Sequence, residues 1–164
     1  MEIKHDTLQA ISKGLRDRAG VQPPIHVTWA VASLAGGDGT PAILRGRREE
    51  LEDGTVWYAL AVTGGVIVTV TASSPAPDWS IGTQATDGSR LKPAKLDARS
   101  RRIRDISSLE VIETIGGGAW QEDLTRWSAS WRIHFADGGE PFDLHSDTNG
   151  ESDGIARTIA AGLS

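Results

Sequence analysis

Residues 127–135 read WSASWRIHF, and the fold of the chain turns on this stretch. Trp127, Ala129, Trp131, Ile133 and Phe135 fall on one side of an extended segment, and Ser128, Ser130, Arg132 and His134 fall on the other. Strict alternation marks a half-buried strand, because successive side chains of extended backbone point to opposite sides. Asp137-Gly138-Gly139 turns the chain, and Phe142 and Leu144 bring it back on the core side, which makes a hairpin. Beyond the hairpin, Ile155, Ile159 and Leu163, padded by Ala156 and Ala160, line one face of a helix that Ser152 or Asp153 can cap.

The strand reading extends upstream. Arg99 to Arg104 and Leu109 to Thr114 read as two short strands around Asp105-Ile106-Ser107-Ser108. Val56, Tyr58, Leu60 and Val62 alternate, Thr63-Gly64-Gly65 turns or bulges, and Val66, Val68 and Val70 continue until Pro75 and Pro77 end the run. A short strand over Trp79–Thr83 is expected before the loop from Asp87 to Pro93. Ala42 to Leu51 is so heavily charged that, as a strand, it belongs at an edge or in an exposed ribbon, and Asp53-Gly54 turns it into the next. Ile25, Val27, Trp29 and Val31 alternate with His26, Thr28, Ala30 and Ala32, which predicts another half-buried strand. Residues 6–19 read as a helix. Asp6 caps it with Gln9 three positions later, Leu8, Ile11, Leu15 and Ala19 form its apolar stripe, and Gly20 stops it before Pro23 and Pro24. That stripe is expected to dock on the protein's own sheet.

Composition narrows the function classes. The chain has 164 residues, 38% hydrophobic and 24% charged, enough for one folded domain or one domain with an N-terminal extension. It contains no cysteine, which excludes disulfides, thiolate nucleophiles and Cys-ligated zinc. A net charge of −5 and a pI near 5.3 argue against a dedicated nucleic-acid binder. The first residues show no basic segment ahead of an apolar core, and the longest apolar run, Ala59 to Ala72, is broken by threonines and glycines. A soluble, cytoplasmic protein is expected. Arginine supplies 13 of the 17 basic residues, a bias that fits a GC-rich coding genome such as that of an actinobacterium or one of its phages.

The order of elements resembles that of bacterial pleckstrin-homology-like (PH-like) and GRAM-type domains. An early strand pair (Val56–Ser73) leads to an arginine-rich segment running into an isoleucine-then-valine strand (Arg101-Arg102-Ile103-Arg104-Asp105-Ile106-Ser107-Ser108-Leu109-Glu110-Val111). A Trp/Phe-rich hairpin (Trp127–His145) and a terminal helix (Asp153–Leu163) follow. The resemblance covers roughly residues 56–164. It implies a mostly β (α+β) fold, a PH-like antiparallel barrel or sandwich with an N-terminal helix and a C-terminal capping helix. Residues 1–24 would then form the N-terminal helix and linker, and residues 25–164 a single PH-like β domain. It further implies a non-enzymatic binding module, a protein-interaction or regulatory scaffold without a cofactor, and a homo-oligomer is compatible with it. A lipocalin-like barrel around a small apolar ligand is an alternative.

The ligand-binding residues expected on this reading are Arg99, Arg101, Arg102 and Arg104, with Trp79 and Trp120 as loop anchors. The arginines belong to a basic cluster with Arg90, Lys92 and Lys95. Arginine forks match phosphate oxygens bidentately, so this segment could grip anionic phospholipid headgroups as well as an acidic protein face. Loop tryptophans carry large apolar area with a polar handle, which suits a partner or a membrane interface, or a lid over the barrel mouth.

Other motifs carry less. Gly36-Gly37-Asp38-Gly39-Thr40 resembles the GGDGT string of NAD and diacylglycerol kinases, yet Pro41 follows it directly and the alternating α/β pattern of those enzymes is missing. An ordinary glycine turn is expected there, not a nucleotide site. Asp147–Asp153 has oxygen ligands at alternating positions, but Ser152 and Thr158 stand where an EF-hand needs glycine and glutamate, so a helix-capping loop is expected and no metal. His5, His26, His134 and His145 are scattered. His134 and His145 lie on the outward side of the last hairpin, where they could be cross-strand neighbours.

Overall fold

The computed structural model describes residues 3–36, 39–83, 92–116, 127–146 and 151–163. The chain divides into two compact units, Met1–Arg101 and Arg102–Ser164. The first carries helices α1 (His5–Gly14) and α2 (Ile25–Leu34) and strands β1 (Ile43–Leu51), β2 (Gly54–Thr63), β3 (Val66–Ser74) and β4 (Lys95–Arg102) apart from its last residue. The second begins with a 3-10 turn, Ile103–Asp105, followed by β5 (Ile106–Gly116), β6 (Trp127–Phe135), β7 (Phe142–Leu144) and helix α3 (Glu151–Gly162). The fold is α+β and mostly strand, as the alternation predicts. Its described strands form two antiparallel sheets, ordered β1-β2-β3-β4 and β5-β6-β7.

In the first unit, β1 and β2 pair from Ile43↔Val62 to Leu51↔Gly54, and β2 and β3 from Thr55↔Ser74 to Thr63↔Val66. The β2–β3 turn is Gly64-Gly65, both with positive φ (52° and 79°), the left-handed pair that a two-residue hairpin loop demands. Charged β1 is an outer strand of its sheet, as its composition predicts. On one face of the sheet, Trp57, Ala59 and Ala61 of β2 and Val68, Val70 and Ala72 of β3 are buried in one cluster with Ile11, Leu15, Val27, Val31 and Ala32 of the helical segment. Small residues along β2 let the helices approach closely. Gly46 does the same on β1, where a Cβ would stand 1.8 Å from the Leu15 carbonyl oxygen.

Helix α1 docks its stripe on its own unit, since Ile11 and Leu15 are buried and Leu8 packs beside them. It is shorter than residues 6–19, with Leu15 as its C-cap. Asp6 is not its cap. Lys4 holds that position without a side-chain bond, and Asp6 lies in the first turn, where a carboxylate complements the helix dipole.

The strand expected at Ile25–Ala32 is helix α2. Pro24 stands at its N-cap, where the missing N–H costs nothing. The buried residues are Val27, Thr28, Val31 and Ala32, a helical face, and Trp29 is 47% exposed. The alternation misleads because its polar phase is weak. Ala30 and Ala32 suit helix as well as Val27 and Val31 suit strand. The strand expected over Trp79–Thr83 is also absent, for residues 81–83 form a helical turn.

In the second unit, β5 pairs with β6 and β6 with β7, with register shifts between Ile106 and Ser108 and between Val111 and Glu113. Ala129, Ile133, Phe135, Phe142 and Leu144 are buried, as the hairpin pattern predicts, and Ile155, Ala156 and Ile159 of α3 are buried with them. Trp131 is half-buried. Helix α3 packs on β6 and, at its end, on the 3-10 turn, where a Cβ on Gly162 would meet the Ile103 side chain at 2.7 Å. Leu163, expected on the inward face, lies past the end of the helix and is 39% exposed, because helical periodicity no longer directs its side chain there. Ser152 and Asp153 sit inside the first turn and reach away from the helix end. The Ser152 hydroxyl donates to the His145 carbonyl (2.6 Å), and Asp153 Oδ1 accepts from the Ala129 amide (3.3 Å) and Trp131 Nε1 (3.0 Å).

Candidate functional site

Strand β4 gathers the predicted basic residues. Its sequence, KLDARSRR, contains four basic residues and one acidic one. Extended backbone puts Lys95, Asp97, Arg99 and Arg101 on one side and Leu96, Ala98, Ser100 and Arg102 on the other. Ala98 packs against the helix-covered core, which assigns the Lys95–Arg101 side to the opposite face of the sheet. Arg99 grips Asp97 bidentately, Nε to Oδ1 at 3.0 Å and Nη2 to Oδ2 at 3.2 Å, with both groups exposed. The Arg102 amide donates to Asp105 Oδ2 at 3.3 Å, which tightens the corner into β5. Arg102 and Arg104 are exposed, Arg101 is half-buried, and Leu96 is 45% exposed. Arg99 and Arg101 therefore lie on β4 within the first unit, Arg102 ends the strand and Arg104 lies in the 3-10 turn of the second unit, and β4 is the last strand of its sheet among the described residues.

Trp79 is not part of this surface. It is fully buried with the first unit's core, its amide donating to Thr55 Oγ1 (3.2 Å) and its carbonyl accepting from Trp57 Nε1 (2.6 Å). An indole offers more burial than any other side chain, and here the segment after β3 fastens it to Thr55 and Trp57 of β2. Trp120 and Arg90 lie outside the described residues, as do Gly37, Asp38 and residues 147–150. Gly36, at the described start of the GGDGT string, adopts a left-handed φ of 96° after the end of a helix, where a strand was expected. Among the described residues no group of three or more His, Asp or Glu side chains is placed to hold a metal ion.

The other charged surfaces are largely paired within themselves. On β1 the Arg47 guanidinium lies over the Tyr58 ring, 4.1 Å from its centre, and also contacts Glu49, which accepts from the Tyr58 hydroxyl at 3.3 Å. Burial, then the Glu49 carboxylate, pushes the Tyr58 phenol above its ordinary pKa, with Arg47 opposing. In the second unit Arg132 forks onto Asp143 at 2.7 and 2.8 Å, and that hydrogen-bonded carboxylate raises its pKa further. His134 meets Glu110 at 2.9 Å. It is not a cross-strand neighbour of His145, because the register pairs Ile133 with Phe142 and Trp131 with Leu144. His26 stands edge-on to Trp29, with ring centres 5.6 Å apart, and burial followed by the Lys92 charge holds it below the ordinary imidazole pKa.

Two functional features escape sequence reading. The Trp57–Trp79 contact joins residues with no shared periodicity. Trp57 does belong to a second apolar phase of β2 with Ala59 and Ala61, a signal that was available but hidden behind Val56, Tyr58, Leu60 and Val62. Asp153 looks like any helix-capping acid until β6 is beside it.

Compared with known proteins, the chain matches no family model, no curated protein and no solved structure. No described helix is long and apolar enough to cross a membrane.

Proposed function

We propose that this chain is a non-enzymatic binding module with a PH-like arrangement, a cytoplasmic protein-interaction or regulatory scaffold whose recognition element is β4. The observation that carries this reading is the concentration of Lys95, Arg99, Arg101 and Arg102 on β4, the outer strand of the four-stranded sheet among the described residues, with Arg104 in the turn that follows. An outer strand can offer backbone hydrogen bonds to an added segment, and its side chains select which segment is accepted. Basic residues at such an edge disfavour pairing with a second copy of itself and favour an acidic partner. The element order supports the PH-like part: a strand pair, an arginine-rich segment, a hairpin and a closing helix occur in the sequence that the resemblance requires. A barrel closed by α3 is the corresponding proposal for how the strands function together.

The test is affinity capture from the source cells with the wild-type chain and with Arg99→Glu/Arg101→Glu, both shown folded by circular dichroism. A partner held by the wild type and lost by the variant supports β4 as the recognition element. A partner held equally by both moves recognition elsewhere.

A second reading, binding of anionic phospholipid headgroups, is favoured by the exposed Arg102 and Arg104 at the β4–β5 corner. Its expected anchor, Trp79, is in the core and contributes nothing to it. Salt-sensitive sedimentation with anionic vesicles, absent with zwitterionic ones and lost in Arg101→Glu/Arg102→Glu, would establish that reading over the first.

A further inference from the structure

Residues 75–83 cross the first unit as a strap after β3, held at several separate points. Thr55 Oγ1 donates to the Ala76 carbonyl (2.9 Å) and accepts from the Trp79 amide (3.2 Å). The Trp79 carbonyl accepts from Trp57 Nε1 at 2.6 Å, and the Ile81 amide donates to the Gln22 carbonyl at 3.2 Å. Gln22 is itself fastened to α1 through Ser12, whose hydroxyl donates to Gln22 Oε1 at 2.9 Å. The strap therefore joins the sheet to the α1–α2 connection.

Arg48 of β1 stands where these parts meet. Its Nε bonds Asp17 Oδ2 at 3.0 Å, its Nη2 meets Glu50 Oε1 at 3.2 Å, and its Nη1 grips Asp78 on the strap. Asp17 also organises the α1–α2 connection, accepting from the Val21 amide at 2.8 Å while its own amide donates to the Val21 carbonyl at 2.9 Å. The two ends of this bridge differ in exposure. The side chains of Arg48 and Asp17 are 13% and 9% exposed, whereas that of Asp78 is 62% exposed. Water and salt reach the strap end and hardly reach the other. Asp78 is, besides, the non-glycine residue with a positive φ (52°) among the described residues, a conformation its neighbours must hold in place.

We propose that the strap is a releasable latch: Trp79 plugs the first unit's core, and the Arg48–Asp78 contact sets how often the plug is seated. Release breaks the exposed ion pair, relaxes the Asp78 backbone and lifts Trp79 away from Trp57. The sheet and α1 stay in place, because Asp17 and Arg48 remain paired. The latch is independent of what β4 binds.

Amide hydrogen exchange on the full chain tests it, with Trp79 and Ile81 as reporters and the amides of Val68 and Val70 as sheet controls. Asp78→Asn removes the charge and keeps a residue that tolerates the left-handed backbone. Trp79 and Ile81 should exchange about threefold faster in this variant, the loss of one solvent-screened ion pair, with the controls unchanged. The wild type in molar salt should shift the same way by less. Arg48→Gln should match or exceed Asp78→Asn. Unchanged exchange at the two reporters in Asp78→Asn would overturn the latch. So would acceleration shared equally by the sheet controls, since the strap would then be an ordinary part of the cooperative core.

Discussion

Helix α2 and strand β6 begin from the same sequence pattern and end as different structures. In both, apolar residues recur at every second position: Ile25, Val27, Trp29 and Val31 in one, Trp127, Ala129, Trp131, Ile133 and Phe135 in the other. In β6 the intervening residues are Ser128, Ser130, Arg132 and His134, so only an extended backbone separates the phases. In α2 they are His26, Thr28, Ala30 and Ala32, and a helix that buries Val27, Thr28, Val31 and Ala32 loses little by exposing Trp29. Alternation thus identifies a strand when the second phase is polar enough that any member it buries must be hydrogen-bonded, as Ser130 is to Glu113 and to the Ser146 amide. Where that phase is small and apolar, the neighbours choose, and here the Ala-lined face of β2 accepts a helix.

The sharpest way to break this comparison is charge placed on α2. Val31→Asp should cost about 4 kcal/mol or more and unfold the first unit, since an unpaired carboxylate would enter the core. Trp29→Asp should cost about 1 kcal/mol or less. Urea denaturation would distinguish the two, and equal losses would restore the strand. On β6, Ile133→Ala should cost about 3 kcal/mol through the cavity it leaves, read from the same titration. Asp153→Ala should come next, at about 2 kcal/mol, because it strands the Ala129 amide and Trp131 Nε1 without their acceptor. A shift of the Trp131 indole N–H resonance should accompany it. The smallest effect concerns His26. Its folded pKa lies below the unfolded value of 6.5, so the unfolded chain binds the extra proton first. His26 therefore lowers stability as pH falls from about 6.5 toward the folded pKa and leaves it unaffected above. His26→Gln should flatten that slope, measured by thermal melts between pH 7.5 and 5.

Much of the fold was legible because local chemistry decided it. The Gly64-Gly65 hairpin, the end of β3 before Pro75, the charged outer strand β1 and the Phe142–Leu144 return follow from turn residues and alternation. The candidate site was legible in part. The arginines cluster in sequence, and extended geometry puts Arg99 and Arg101 on one side of β4, with Arg102 on the other side and Arg104 in the following turn. Trp79 was not legible as core, since a lone tryptophan between turns has no period from which to read its side.

Spacing alone therefore accounts for both hairpins, the apolar stripe of α1 and the inward residues Ile155 and Ile159 of α3. Each of these rests on contacts between residues a few positions apart, where backbone geometry leaves one arrangement. The helical state of α2, the plug made by Trp79, the Arg48 bridge from Asp17 to Asp78 and the grip of Asp153 on β6 required the folded chain. The Trp79, Arg48 and Asp153 contacts join residues 22 to 31 positions apart with no fixed period, and burial there is settled by which surfaces are left to cover.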